Sequence, residues 1–276
     1  MSPGFDLIKD RASMLAKTRA FFAERSVLEV DVATLIPYPQ LDAYIEPIKA
    51  DSGYLHTSPE YEMKKLLAAV PCDIYQLTHV FRKEEIGRVH LAEFTMIEWY
   101  RMQKTLIELS EETLALIQLF LGEKKIERCT FSSLWDAFVP PDAKGPKELL
   151  FDDYIASNLS PEKLYVVEDF PTESAALAKI ENGVAKRFEI YLGGLELANG
   201  FWELSCPVEI KKRFETQNAL REKEGKGPFP IDEAFVNASA NLPDCVGVSV
   251  GFDRLMMQKR KEDQVKNVFL SSITGS

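Results

Sequence analysis

Basic residues are outnumbered in this chain, 33 Lys and Arg against 43 Asp and Glu, for a formal charge of −10. That balance excludes the broad phosphate-neutralising surface of a general nucleic-acid binder, although a local basic patch stays open. Histidine is scarce, with only His56, His79 and His90, and the four cysteines Cys72, Cys129, Cys206 and Cys245 stand far apart without a CxxC pair. A Cys/His metal centre is therefore not expected. No apolar run approaches membrane-spanning length, and charges begin at Asp6, too early for a signal peptide. The expectation is a reduced, soluble, cytosolic chain with no membrane partner. Repeats and low-complexity tracts are also missing. The 276 residues, 46% of them hydrophobic, allow one large domain or two small ones, and no linker divides them.

What is present is a mixture of helical and strand periods. From Asp6, the residues Leu7, Ile8, Met14, Leu15, Phe21 and Phe22 recur at helical spacing and predict an amphipathic helix ending near Arg25. VLEV at 27–30 predicts a short strand, and the proline-punctuated IPYPQLDAYIEP a connection. In HTSPEYEMKKLLAAV, Ser58 is the predicted N-cap, Pro59 the first helical residue, and Met63, Leu66 and Leu67 the buried stripe. CDIYQLTHVFR and EFTMIEWYRM read as two strands of a long-looped hairpin, and KTLIELSEETLALIQLFL as a helix reaching Leu121. Residues 122–165 are the least informative. RFEIYLGGLELANGFWEL predicts a hairpin turning at Gly193-Gly194. KKRFETQNALREKEGKG predicts a charged, exposed helix, and GVSVGFDRLMMQ a strand, a tight turn at Gly251 and a helix from Asp253. The irregular alternation favours an α+β fold with a mostly antiparallel sheet flanked by helices.

The stretch FRKEEIGRVHLAEFTMIEWYR mixes charge of both signs with aromatics. A solvated face explains such a run as readily as a binding site does. Period 2 places Phe94, Met96, Glu98 and Tyr100 on one strand face, where a carboxylate among aromatics is costly unless the face lines a polar pocket. With Gly193-Gly194 as the turn, Tyr191 pairs with Glu196, so Glu189 and Glu196 share a face diagonally. Two such carboxylates suit Mg²⁺ held partly by phosphates, or simply two exposed acids. Glu203 lies seven residues beyond Glu196, and a bulge at Gly200 would turn it to the same face. Arg254, at a helix start, would face a phosphate or a carboxylate.

Taken together these segments resemble the catalytic core of class II aminoacyl-tRNA synthetases, in the lysyl branch. FRKEEIGRVHLAEFTMIEWYR resembles motif 2 and GVSVGFDRLMM motif 3; TSPEYEMKKLL, FEIYLGGLELANGFWEL and MLAKTRAFFAERSVLEV resemble the flanking lysyl-type segments, in order along the chain. The chain starts at the motif 1 helix, without room for an anticodon-binding barrel. With PEYEMKKLLAA, EWYR, GLELANGF and PDCVGVSVG it is similar to the truncated lysyl-tRNA synthetase paralogues that act as elongation factor P lysine ligases. That likeness implies a single catalytic domain over 1–276.

The resemblance implies ATP and Mg²⁺ as cofactors, an aminoacyl-adenylate intermediate, lysine or (R)-β-lysine as substrate, elongation factor P as acceptor, a homodimer, and no tRNA charging. By position, Arg82 would hold the α-phosphate, Glu84 the adenine amino group, Phe94 would stack on adenine, and Arg254 would pair with the γ-phosphate. Lys83 and Gly251 fall in the same nucleotide segments. Glu189 and Glu196 would carry Mg²⁺, with Arg82, Arg254 and Glu196 the catalytic set. Ser58, Glu60, Glu98, Tyr100, Asn199, Glu203 and Ser249 would line the amino-acid site. Departures from the family pattern are Leu91-Ala92 in place of Asn-Pro, Ala33 in place of the motif 1 proline, Ser249 in place of glycine or alanine, and a shortened segment before the Gly-Gly hairpin. A candidate basic contact for an acidic or RNA-shaped partner is Lys211, Lys212, Arg213, Arg221, Lys223 and Lys226. A free-standing adenylate-forming ligase for a small molecule and an inactive amino-acid sensor remain as alternatives.

Overall fold

The computed structural model describes residues 3–83, 87–145 and 147–270. In chain order its strands are β1 (Leu28–Glu29), β2 (Leu35–Ile36), β3 (Ile48–Ala50), β4 (Gly53–Leu55), β5 (Ile74–Phe81), β6 (Glu93–Met102), β7 (Lys125–Thr130), β8 (Lys163–Phe170), β9 (Ile180–Glu181), β10 (Val184–Leu192), β11 (Leu195–Trp202) and β12 (Cys245–Gly251). The helices are α1 (Pro3–Ala23), α2 (Glu60–Ala69), α3 (Leu106–Leu121), α4 (Phe131–Phe138), α5 (Lys147–Leu150), α6 (Pro207–Lys223), α7 (Glu233–Ser239) and α8 (Phe252–Arg260). Among the described residues no helix is long and apolar enough to cross a membrane.

The main sheet runs β1-β5-β6-β12-β11-β10-β8-β7, with β9 beside β10. Pairing is antiparallel through the middle and parallel at the two ends, β1 with β5 and β7 with β8. This is the mostly antiparallel α+β sheet that the sequence predicts. A small sheet, β2-β4-β3, stands apart.

Alternation along β6 divides the molecule. Ile97 and Trp99 enter the core under α1, α3 and α8, where Phe22 stacks on Tyr75 at 4.2 Å. Glu98 and Tyr100 point to the other face, which α2, α6 and α7 partly cover. Helix α3 starts where the sequence says it should, because Thr105 and Glu108 satisfy each other's backbone N–H groups in a capping box. On the second face Tyr61 lies parallel to Phe235, 4.2 Å between ring centres, and Ile210 and Phe214 close the layer.

Some local expectations change. Ser58 is not the N-cap: Pro59 holds that place, its carbonyl taking Met63 N–H at 3.0 Å, while Ser58 Oγ accepts from Glu60 N–H at 3.0 Å. The bulge in β11 is at Leu197, not Gly200. Tyr191 pairs with Glu196 as predicted, but Ile190 already pairs with Ala198. Leu197 is the extra residue and is buried with Ala198 in the core, which turns Asn199, Phe201 and Glu203 to the face of Glu196. Gly200 serves a different need, since a Cβ there would lie 2.5 Å from the Phe188 ring. The uninformative segment 122–165 folds into β7, α4, α5, a π-helical turn at Phe151–Ile155 and the start of β8, elements too short to show a period.

Helix α6 is not simply exposed, because Ile210, Phe214 and Arg221 form a buried stripe. Arg221 donates to Gly227 O at 3.1 Å and Glu46 Oε2 at 3.0 Å, and its guanidinium lies 3.6 Å from the Phe229 ring centre. Arg213 donates to Ala176 O and Ala178 O, and Lys211 pairs with Glu233 at 2.7 Å. Three of the cations expected to form a basic contact therefore have internal partners.

Candidate active site

Two adjoining cavities occupy the second face of the sheet. The larger, about 500 Å³, is lined by Ser58, Glu60, Glu98, Tyr100, Asn199, Glu203 and Ser249 among others. The smaller, about 250 Å³, is lined by Arg82, Phe94, Glu189, Glu196, Gly251 and Arg254. Ile45, Arg82, Met96, Asn199 and Ser249 line both, so a molecule in one can meet a molecule in the other.

The larger cavity is acidic and rigidly built. Buried Glu98 accepts from Tyr100 Oη at 2.6 Å and from Ser58 Oγ at 2.7 Å. Gln40 fixes the segment carrying Ser58: its Oε1 accepts from Thr57 N and its Nε2 donates to Ser58 O. Across the cavity, Glu203 is 2% exposed beside Gly247, whose missing Cβ leaves room for the Tyr100 ring and Glu203 Oε1. Between Glu60 and Glu203 lies the buried ammonium of Lys64, 2.6 Å from Glu60 Oε1 and 2.5 Å from Glu203 Oε2.

Burying these charges together shifts the titration of Glu98, Glu203 and Lys64. Burial first, then the neighbouring Glu60, push Glu98 up to about 7, against the pull of Tyr100, Ser58 and Lys64. Burial also raises Glu203, with Lys64 opposing and Glu60 and Glu98 reinforcing. Burial works against a charged Lys64, but Glu203 and Glu60 outweigh it and hold the ammonium above its ordinary range. A pocket so arranged attracts further positive charge, and a bound ammonium would bring Glu98 and Glu203 back toward their usual range. Asn199 Oδ1 is buried without a hydrogen-bond partner among the described residues, an acceptor that a ligand can use.

The smaller cavity presents cations. Arg82 donates from Nε to Thr57 O at 3.3 Å, and its guanidinium lies 5.2 Å from the Phe94 ring centre. Arg254 donates to Val89 O at 3.2 Å and Glu196 O at 3.0 Å, and its Nη2 lies 2.6 Å from His90 Nε2. Because arginine only donates, His90 Nε2 accepts and the neutral ring carries its proton on Nδ1. Glu196 Oε2 is 3.5 Å from Arg254 Nη1. Glu189 accepts from Arg187 and Tyr191.

Glu189 and Glu196 face the same cavity, and their donors are oxygens. Among the described residues no group of three or more His, Cys, Asp or Glu could hold a metal ion. Two carboxylates are the donor type that would suit Mg²⁺, with phosphate oxygens and water to fill its remaining positions.

The predicted amino-acid residues thus come together around the larger cavity, and Arg82, Phe94, Glu189, Glu196, Gly251 and Arg254 around the smaller. Lys83 lines neither and is exposed, its backbone N–H donating to Glu46 O at 2.8 Å. Glu84 lies outside the described residues. Sequence reasoning missed Gln40, Gly247, His90, Arg187 and Lys64. Lys64 had one signal, its i,i+4 spacing from Glu60, which does not tell an inward pair from an outward one.

The chain matches the model of the tRNA synthetases class II (D, K and N) over residues 5–272. It is 37% identical to an elongation factor P–(R)-β-lysine ligase of Haemophilus ducreyi, across 94% of this chain and 91% of the relative. The corresponding ligase of Vibrio cholerae is 39% identical, across 95% of this chain and 93% of the relative. A homolog of that ligase from Aquifex aeolicus is 34% identical, across 96% of this chain and 99% of the relative. With a mostly antiparallel sheet carrying adjoining acidic and cationic cavities, and likeness along nearly its whole length, the chain belongs to the class II tRNA synthetase family of the D, K and N type, among the relatives of the elongation factor P–(R)-β-lysine ligases.

Proposed function

We propose that this chain is an ATP-dependent, AMP-forming ligase that activates (R)-β-lysine as its adenylate and transfers it to a lysine side chain of elongation factor P. The observation that carries this reading is the junction of the two cavities. An acidic chamber of Glu60, Glu98 and Glu203 opens at Arg82, Asn199 and Ser249 onto a chamber holding Arg82, Phe94 and Arg254. A diamino acid entering the first with its ammonium groups among the carboxylates directs its carboxylate toward the second.

In the first half-reaction the amino-acid carboxylate oxygen attacks the α-phosphorus of ATP, and the bond to the bridging oxygen of pyrophosphate breaks. Arg82 faces the charge that develops on the α-phosphate, Phe94 offers a ring face to adenine, and Arg254 meets the far phosphates. Mg²⁺, held by Glu189 and Glu196, would offset phosphate charge. Before nucleotide binds, Glu196 and His90 hold Arg254 in place, so its orientation is set in advance. In the second half-reaction a neutral acceptor amine attacks the adenylate carbonyl, an amide forms, AMP leaves, and the amine's proton passes to solvent. Catalysis here is positioning and electrostatic stabilisation, with no covalent bond to the enzyme.

The net charge of −10 supports a protein acceptor over tRNA. Exposed Phe5 and Ile8 on α1 and Leu28 on β1 support a homodimer. ATP–pyrophosphate exchange tests the activation step. Exchange should depend on (R)-β-lysine or lysine and be absent with norleucine, which lacks the side-chain ammonium. Exchange driven equally by norleucine would contradict the reading.

A further inference from the structure

We infer that Lys64 is a positioning residue for substrate selection, a buried counter-ion that orients Glu60 and Glu203 so that the larger cavity selects amino acids with two ammonium groups. The inference rests on the reading of that cavity as the amino-acid site and names the device behind its charge selectivity.

Lys64 does not line the cavity, yet its side chain is 2% exposed and its Nζ touches two carboxylates that do. One oxygen of each is engaged, Glu60 Oε1 and Glu203 Oε2. Glu203 Oε1 stays at the cavity floor, where a Cβ on Gly247 would come within 2.5 Å of it. Nζ also lies 6.0 Å from the Tyr100 ring centre, so Lys64 has the carboxylate and aromatic surroundings that the cavity offers a bound ammonium. Glu60, Glu98 and Glu203, less Lys64, leave a charge of −2 when all are ionised, the complement of two ammonium groups. Burial already raises Glu203 against the pull of Lys64, so without Lys64 it would hold its proton more tightly still, and its attraction for the substrate would fall. A buried ion pair adds little to stability compared with apolar packing, so its chief effect here is on the binding surface.

The test compares the wild-type chain with K64M, E203Q and K64M/E203Q by calorimetric titration of ATP, (R)-β-lysine, lysine and norleucine. In K64M the diamino acids should bind at least about tenfold more weakly, the equivalent of ~1.4 kcal/mol. ATP and norleucine should shift less than about twofold, and the preference for diamino acids over norleucine should shrink accordingly. In E203Q the main group that Lys64 serves is already neutral, so adding K64M should cost less than about threefold more. That pair of variants leaves no carboxylate at position 203 unpaired, and it carries the test if K64M alone does not fold. Equal weakening of every ligand in K64M, an unchanged preference for diamino acids, or an undiminished loss on adding K64M to E203Q would overturn the role of Lys64. A wild-type chain that itself fails to prefer diamino acids over norleucine would instead overturn the reading of the cavity, and the inference with it.

Discussion

Replacing Glu98 by Gln should stabilise the empty protein at alkaline pH while weakening its hold on the amino acid. Glu98 is 4% exposed, and burial with the nearby Glu60 raises its folded-state pKa from 4.5 to about 7. The folded chain therefore binds this proton more tightly than the unfolded chain does. The resulting stability is whole below pH 4.5 and is lost as pH rises through about 7. At ~1.4 kcal/mol for each tenfold in acidity, charging Glu98 costs the fold about 3 kcal/mol by pH 8. Glutamine has nearly the same shape and never ionises. Its carbonyl can accept from Tyr100 Oη and its amide can donate to Ser58 Oγ, keeping both contacts at 98. Urea unfolding should give E98Q an advantage of about 3 kcal/mol at pH 8 that shrinks below ~1 kcal/mol at pH 5. A pH-independent difference, or a wild-type chain that is the more stable at pH 8, would refute the assignment of burial as the dominant influence on Glu98.

Arg82→Ala should lower pyrophosphate exchange by at least about two orders of magnitude, the scale for removing a donor that faces developing charge; an unchanged rate would place the α-phosphate elsewhere. Glu203→Gln should weaken diamino-acid binding by ~3 kcal/mol with ATP binding nearly intact, as expected when a buried ammonium loses a charged partner. Equal losses for both ligands by calorimetry would move Glu203 to the nucleotide side. Gly247→Ala places a methyl 2.5 Å from Glu203 Oε1 and against the Tyr100 ring. It should cost ~1–3 kcal/mol of stability by thermal unfolding and abolish amino-acid binding before ATP binding.

Much of this architecture is legible in the sequence because its periods are long. The ten residues of β6 form one unbroken strand, so period 2 alone names the face carrying Met96, Glu98 and Tyr100. The Gly193-Gly194 turn sets the pairing of Tyr191 with Glu196, with Gly193 at φ 57, where glycine meets no Cβ penalty. The position of the bulge is not legible in the same way. Gly200 is the conformationally permissive choice, but Leu197 and Ala198 bulge because both can be buried in the core, a tertiary effect with no local mark. The inward turn of Lys64 and the burial of Arg221 escape for the same reason. A cation on a helix reads as solvated until the partners that long-range packing supplies, Glu203 for one and Glu46 for the other, are known. Gln40 shows the same limit, since it locks the Thr57–Ser58 segment from a separate stretch of chain.

The most direct test of the whole account is the intact mass of elongation factor P after incubation with this chain, ATP and (R)-β-lysine, with the modified residue located by peptide fragmentation. The account predicts the addition of one β-lysyl group in amide linkage to a lysine side chain, dependent on ATP and lost in the Arg82→Ala variant. Elongation factor P that gains no mass while the enzyme forms adenylate, or aminoacylated tRNA in its place, would contradict it.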